Sequence, residues 1–536
     1  MSAPTFPEVF NLADYFLFDR LAEGLGAEAA VRFGARTWTY DDVAARTLGV
    51  ASMLRAAGLR AEERVLIVLP DVPPFAWTFF GVLKAGGVVA MGNPDAPADD
   101  LAYLLEYTRA LVVVTVPRVL AALASPLANS PWIKGVFVVP DAATGDDPEA
   151  AVPFDAPAGV RCAALADCAS ASAVERDAAA SVRTKRDDLA IWLFTSGSTG
   201  KPKAAVHTHR DFAFNTEVYA LGTVGYRRGD VCVSVPRLFF GYATGTNLMF
   251  PFRVGASVGM FSERPTVESL TRAIATYRPT VLTNVPTMIG KLLEQGADLD
   301  VSSLRFCLSA GEALPPALLE RWTERFGVDV YDGIGSAEMF HIYVSNRPGD
   351  VKPGSLGRVV DGYALKVLPR DAEGPGTAEL PPNEVGVLWV RGDSVALGYW
   401  QDRDKSWQTF HGRWCCTGDL FRLDGDGYLW FAGRADELLK VSGLWVSPLE
   451  VEDCLRAHPA VGDVAVIGVD VEGLLQSRAV VVVRPGFTAG DALAAELQAF
   501  AKDRLTKHKY PRQVVFSDDL PKNDRGKVDR KALRSA

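Results

Sequence analysis

The sequence predicts an α/β fold, with a large N-terminal domain built on mostly parallel sheets and a small C-terminal α+β domain. Three observations carry this. β-Branched runs alternate with helical segments through the first half, the last quarter changes to a compact pattern of its own, and 536 residues are enough for more than one core. The runs are Val65–Leu69, Val112–Val116, Val136–Val139 and Ile191–Phe194, and the helical segments between them include Pro74–Ala85 and Asp99–Arg109. Such alternation favours parallel strands joined by crossover helices. Asp141–Asp188, rich in Ala, Asp and Ser with Phe154 as its one aromatic residue, reads as a surface connection. After Gly433-Arg434-Ala435-Asp436 come strand-like Leu439–Val441, a helix near Pro448–Ala457, strands over Val464–Val469 and Ala479–Val483, and a helix over Asp491–Leu505. About 100 residues suffice for an independent domain. The boundary is therefore placed near Asp436, giving domains 1–435 and 436–536.

Composition narrows the partners. Hydrophobic residues are 48% and charged residues 23%, the balance of a folded globular chain. A net charge of −9 repels phosphate backbones and anionic lipid, so nucleic acid and membrane surfaces are not expected partners. Met1–Arg20 lacks the basic-then-apolar order of a signal peptide. Leu238–Phe252 is shorter than the roughly 20 residues of a bilayer span and reads as a buried wall. Seven scattered cysteines without CxxC spacing fit a reducing cytoplasm, and the adjacent Cys415 and Cys416 suit a strand.

Thr195-Ser196-Gly197-Ser198-Thr199-Gly200-Lys201-Pro202-Lys203 follows directly on the strand Ile191–Phe194. Glycines let the backbone turn its N–H groups toward one point, while hydroxyls and two ammonium groups add donors, which is how a loop wraps a polyphosphate. It fits neither the GxxxxGK[ST] pattern nor the GxSxG nucleophile elbow. The segment resembles the phosphate-binding signature of the adenylate-forming superfamily of acyl-CoA synthetases, nonribosomal-peptide adenylation domains and luciferases. Five further signatures follow in order: Ser309–Pro315 (SAGEALP), Tyr331–Glu338 (YDGIGSAE), Thr417-Gly418-Asp419, Gly433–Asp436 (GRAD) and Leu520–Lys527 (LPKNDRGK). Together they span essentially the whole chain.

The resemblance implies an enzyme in which a carboxylate attacks the α-phosphorus of ATP, with cations and Mg²⁺ neutralising the two anions. Glu338 matches the Mg²⁺-side carboxylate, Ser336 the α-phosphate contact, and Lys203, Thr195, Ser196, Ser198 and Thr199 the phosphate loop. Adenine is expected between Gly311-Glu312-Ala313 and the Tyr331 ring, with Asp332 and Gly333 beside it, and ribose at Asp419 and Arg434. Lys527 matches the catalytic lysine, which bridges the attacking oxygen and the α-phosphate. In such enzymes the C-terminal domain is mobile and swings about a hinge, here Asp436, to bring in coenzyme A. Lys440, Ser442 and Gly443 match the strand that lines its pantetheine tunnel.

Within the superfamily, Arg237–Tyr242, Ser262–Thr266, Gly335–Ile342, Ser345–Gly349 and Lys507–Arg512 resemble benzoate-CoA (aryl-CoA) ligases most. The implied aryl-acid pocket consists of Phe240, Gly241, Tyr242, Ala310, Gly333, Gly335, His341 and Ile342, with His341 expected to orient the aromatic carboxylate. The chain departs from the benzoate pattern at Gly241, where Ala is usual, at Ala243, where Gly is usual, and at Ala337, where Thr is usual. Loss of a methyl at Gly241 implies tolerance of an amino- or hydroxybenzoate. His207 and His209 form an HxH on an apparent strand with no third ligand in view, and a structural role is favoured. The main rival is a stand-alone aryl adenylation enzyme that loads a carrier-protein phosphopantetheine arm. A luciferase-like oxygenase fits less well, and retention of Lys203, Glu338, Asp419, Arg434 and Lys527 argues against an inactive binding module. Oligomeric state is left open, a homodimer included.

Overall fold

The computed structural model describes residues 4–180, 182–196, 201–296, 299–434, 438–441, 444–471, 474–506, 508–521 and 528–535. The chain packs as two units, Met1–Leu365 with Val390–Cys415, and Lys366–Trp389 with Cys416–Ala536. This division falls earlier than the expected boundary near Asp436, which itself lies outside the described residues. The strand Leu429–Arg434 goes with the second unit because Ser447 Oγ donates to the Ala432 carbonyl (2.8 Å). A Cβ on Gly433 would lie 2.9 Å from that same hydroxyl, so glycine permits the approach.

Two sheets build the first unit. One holds, in spatial order, Cys162–Ala164, Gly135–Val138, Val112–Thr115, Arg64–Val68, Val88–Met91, Leu189–Ser196 and Pro202–Thr208. Every neighbour pair is parallel except the last, a hairpin. The other holds Arg358–Val359, Ile342–Ser345, Val330–Gly335, Phe306–Ser309, Val281–Asn284, Val231–Ser234, Ser257–Met260, Ala29–Phe33 and Arg36–Thr39. It is parallel through its middle and antiparallel at both ends. The α/β architecture is the expected one, and each β-branched run falls on a strand. Strands buried on both faces read as continuous Val and Ile runs because helices cover both sides. Val267–Tyr277 shows how such a helix is set: Thr266 and Ser269 close a capping box, and Leu270, Ile274 and Tyr277 face a core shared with Leu282, Cys307 and Val330.

Asp141–Asp188 is more than a connection. It adds the edge strand Cys162–Ala164, a 3₁₀ turn over Leu165–Ser170 and the helix Ala173–Ala180, with Leu165 and Cys168 buried. The turn packs on the helix Tyr40–Ala56 at Gly49, where a Cβ would sit 2.0 Å from the Cys168 carbonyl. Leu238–Phe252 is the buried wall expected, as the short helical turns Gly241–Thr244, Gly245–Met249 and Phe250–Arg253. Among the described residues no helix is long and apolar enough to cross a membrane.

In the second unit, Val461–Val471, Leu474–Val483 and Gln513–Phe516 form a three-stranded sheet, and Leu439–Val441 pairs with Leu444–Val446. Helices Pro448–Arg456 and Asp491–Arg504 cover a core of Val451, Leu455, Val464, Val466, Val481 and Leu497.

Candidate active site

The phosphate-loop candidates sit on the hairpin. Leu189–Ser196 and Pro202–Thr208 run antiparallel, with Thr195 opposite Lys203 and Ser196 opposite Pro202. Ser198 and Thr199 lie outside the described residues, as does the side chain of Ser196. Segment 396–400 adds to the edge of this hairpin: the Leu397 and Trp400 amides donate to the Val206 and Ala204 carbonyls, and the Val206 amide donates to Gly398. That pairing brings Tyr399 under the site. Lys203 Nζ lies 3.7 Å above the Tyr399 ring centroid, and Tyr399 Oη donates to Glu338 Oε1 at 2.6 Å. A cation over an aromatic face is held electrostatically. Burial, reinforced by the Glu338 charge, pushes the Tyr399 phenol far above its ordinary value, so it remains a donor.

Glu338 stands in the 3₁₀ turn Ala337–Met339, just past the strand Val330–Gly335. His207 fixes that turn. Its Nε2 donates to the Ala337 carbonyl (2.6 Å), while its Nδ1 lies 3.0 Å from Asp211 Oδ2. His209 starts the next helix, and its Nδ1 accepts the Leu12 amide (3.1 Å). Both histidines bond to the protein's own backbone, and no cluster of three His, Cys, Asp or Glu residues that could hold a metal occurs among the described residues. Ser336 Oγ, next to Glu338, has no hydrogen-bond partner.

Gly311 takes φ +89° in the turn after the strand Phe306–Ser309, and Glu312 Oε2 accepts from the amide and hydroxyl of Thr287. The Tyr331 ring does not offer the open stacking face expected. It is 4% exposed and packs on Phe306 (5.3 Å, 34°), because a residue mid-strand in a parallel sheet is covered by its neighbours. Asp332 is buried beside it, and its Oδ1 has no hydrogen-bond partner. Burial raises its carboxyl to about 8. It thus presents an unfilled acceptor beneath the 311–314 turn.

The aryl-pocket candidates converge on His341. Gly333 and Gly335 let the strand Ile342–Ser345 come close, since a Cβ would lie 2.6 Å from the Val344 carbonyl or 2.4 Å from the His341 carbonyl. Ala310 and Ile342 are buried, and the Ile342 carbonyl accepts from Asn215 Nδ2 (2.8 Å). Phe340 takes φ +72° and ψ −58°, the rare classic γ-turn, which turns His341 inward. The imidazole packs among Tyr219 (5.5 Å), Tyr242 (5.3 Å) and Phe250 (4.8 Å). Gly245 makes room for it, as a Cβ there would lie 2.7 Å from Cδ2 and Nε2. Nε2 donates to the Tyr242 carbonyl (3.0 Å), and burial lowers the ring to about 4, so it is neutral. A neutral imidazole whose one N–H is already given to a carbonyl turns a lone pair, not a hydrogen, toward the remaining side. The space freed at Gly241 is also not empty: a Cβ would meet Leu193 at 3.0 Å.

Asp71, buried in the loop after Arg64–Val68, pins the start of this wall. It accepts the Leu238 amide (3.0 Å) and pairs with Arg237 (3.6 Å), whose Nη1 donates to the Phe261 carbonyl (2.7 Å). The Thr244 hydroxyl then closes onto the Leu238 and Phe240 carbonyls.

In the second unit, Asp419 and Arg434 face each other across adjacent strands, Nη1 to Oδ1 at 3.1 Å. Lys440 lies on Leu439–Val441, its side chain not described, and Ser442, Gly443 and Lys527 fall outside the described residues. Tyr399, Asp211 and Asp71 are site-building residues that the motifs did not flag, whereas His207 was singled out only as half of the HxH pair. Tyr399 has no sequence signal near Glu338, being 61 positions away.

A model of the AMP-binding enzyme family matches residues 18–400, and one of the AMP-binding enzyme C-terminal domain matches residues 450–527. The chain is 39% identical to a benzoate-CoA ligase of Thauera aromatica, across 99% of this chain and 97% of that one. It is 35% identical to a 4-hydroxybenzoate-CoA/benzoate-CoA ligase of Rhodopseudomonas palustris, across 98% and 94%. A crystal structure of an anthranilate CoA ligase in complex with anthranoyl-AMP matches with a TM-score of 0.88 at 33% identity, covering 100% of this chain and 98% of that one. With the parallel-sheet architecture and the glycine-rich hairpin beside Glu338, these matches place the chain in the AMP-binding enzyme family.

Proposed function

We propose that the protein is an ATP-dependent aryl-CoA ligase that converts benzoate, or an amino- or hydroxybenzoate, to its coenzyme A thioester through an acyl-adenylate, releasing AMP and pyrophosphate. One observation carries the reading. The run 335–342 holds Glu338, bonded to Tyr399 under Lys203, and three residues on His341, packed among aromatic rings. Phosphate-handling groups and an aromatic-lined site are thereby joined by one short turn.

Lys203 and Ser336 would bind the nucleotide's phosphates, and Asp332 would take the adenine amino group beneath the turn Gly311-Glu312-Ala313. Asp419 would take the ribose hydroxyls, with Arg434 as its cross-strand partner. Lys527 is assigned the bridge between the attacking carboxylate oxygen and the α-phosphate, and Lys440, Ser442 and Gly443 the path of the pantetheine arm about the hinge at Asp436. Glu338 suits Mg²⁺ as a hard oxygen ligand oriented by Tyr399, and the nucleotide's phosphates would complete the set. When bound, Mg²⁺ neutralises phosphate charge that would otherwise repel the incoming carboxylate. All seven cysteines are free thiols, which supports work in a reducing cytoplasm.

AMP release by the purified protein with Mg·ATP and benzoate, ortho-aminobenzoate or para-hydroxybenzoate, each with and without coenzyme A, tests this. The ligase gives coenzyme-A-dependent AMP and an aryl thioester. Pyrophosphate exchange without coenzyme A turnover would instead mark a carrier-protein adenylation enzyme.

A further inference from the structure

The polar atoms of the aromatic site do not balance. His341 is 3% exposed, and its Nε2 faces a carbonyl oxygen, which only accepts. The ring hydrogen therefore sits on Nε2, and Nδ1 is left as a bare lone pair. Nδ1 is buried and has no hydrogen-bond partner. Protonating it would place an uncompensated cation among Tyr219, Tyr242 and Phe250, and burial holds the ring's affinity for that proton low. The Cδ2–Nε2 edge is taken up by Gly245 and the Tyr242 carbonyl, so the Nδ1 edge points away from that contact. The Tyr242 hydroxyl, on the ring beside the imidazole, is likewise buried without a partner. A buried acceptor left unmade is costly, and a ligand that supplies the hydrogen recovers that cost on binding.

We propose that His341 Nδ1 reads the ring substituent of the acid, accepting a hydrogen from an amino or hydroxy group and so favouring donor-substituted benzoates over isosteres that carry a methyl group at the same position. This rests on the aryl-CoA ligase reading and assigns it a specificity residue. It also gives a reason for neutrality at this position: an imidazolium would repel the donor that the lone pair attracts. The Tyr242 hydroxyl, able to donate or accept, is placed to take a second hydrogen of an amino group or the lone pair of a hydroxy group.

The test compares kcat/KM for coenzyme-A-dependent AMP release with benzoate and with the ortho, meta and para pairs of amino- and methylbenzoate. The proteins are the full-length wild type, His341→Phe and His341→Asn. In the wild type one amino isomer exceeds its methyl partner by about tenfold or more, or ~1.4 kcal/mol. In His341→Phe that ratio falls to about one at whatever rate the variant turns the acids over, and in His341→Asn, whose amide oxygen stands near the Nδ1 position, it partly returns. The proposal is overturned if no amino isomer beats its methyl partner in the wild type, or if the advantage survives in His341→Phe. Should His341→Phe fail to fold, the ¹⁵N resonance of the wild-type Nδ1 decides. It shifts on binding the preferred amino acid and not the methyl acid if the contact forms, and an unchanged signal sinks it. Absence of AMP release with every aromatic acid would overturn the ligase reading, and this contact with it.

Discussion

Tyr399 gives its hydroxyl hydrogen to Glu338 Oε1 at 2.6 Å while its ring lies 3.7 Å below the Lys203 ammonium, so one side chain orients both a carboxylate and a cation. A hydrogen bond to a charged group is worth about 1.5–3 kcal/mol. Tyr399→Phe keeps the ring under Lys203 and removes only the bond to Glu338. Steady-state kinetics should show kcat lowered by roughly 10- to 100-fold, the KM for the acid little changed, and a higher Mg²⁺ concentration needed for half-maximal rate. Unchanged kcat would detach Tyr399 from the chemistry.

His207 links the Asp211 carboxylate to the Ala337 carbonyl and so sets the turn that carries Glu338. His207→Leu leaves the Ala337 carbonyl without this donor, while Asp211 keeps the amide and hydroxyl of Thr208. Unfolding in urea should register a loss of about 1–3 kcal/mol. Turnover of the surviving folded protein should also fall, because Glu338 is no longer held in place.

Gly245 is where the backbone makes room for the imidazole. Gly245→Ala drives a methyl into the ring and should cost about 1–3 kcal/mol of stability. The KM for aromatic acids should rise while ATP binding, followed by equilibrium dialysis, stays near the wild-type value. Gly241→Ala meets only the flexible end of Leu193, at 3.0 Å. It should shift the ranking of ring-substituted acids by less than about tenfold, within the ~1–3 kcal/mol that one methyl commands.

Two buried groups give stability opposite pH slopes. Burial lowers His209 to about 3, so the unfolded chain binds the proton more readily. Its contribution is complete above the ordinary histidine value near 6.5 and is lost as pH falls from there through about 3. Asp332, raised to about 8, works the other way: its contribution is complete below the ordinary carboxyl value near 3.9 and is lost as pH rises through about 8. Each slope is at most ~1.4 kcal/mol per pH unit. Melting curves from pH 4 to 9 should show a shallower acid limb for His209→Asn and a shallower alkaline limb for Asp332→Asn.

The parallel sheets were legible because strands covered on both faces must be runs of Val, Ile and Leu, and Arg64–Val68 and Val112–Thr115 are such runs. Cys162–Ala164 was not, since an edge strand of small residues has no such signal, and its tie to the fold is a backbone approach at Gly49. Glu338, Lys203 and Asp332 were legible from motif spacing. The supports of the first two were not, because Tyr399 reaches Glu338 and Lys203, and His207 the turn that carries Glu338, through the fold rather than along the chain. For His341, residue type cannot reveal which ring nitrogen meets a carbonyl.

The chain leaves the first unit at residue 365, returns to it at 390 and departs again after 415. The strip that supplies Tyr399 is therefore made by the ribosome after the opening stretch of the second unit. Neither half is a module that a single cut can lift out whole. A gene truncated at residue 435 would keep two stretches of the second unit, Lys366–Trp389 and Cys416–Arg434, stranded from the rest of their partner fold. Recombination that exchanges C-terminal halves between relatives must carry those two inserts as well, which makes this interleaving a constraint on how such enzymes trade parts as much as on how one of them folds.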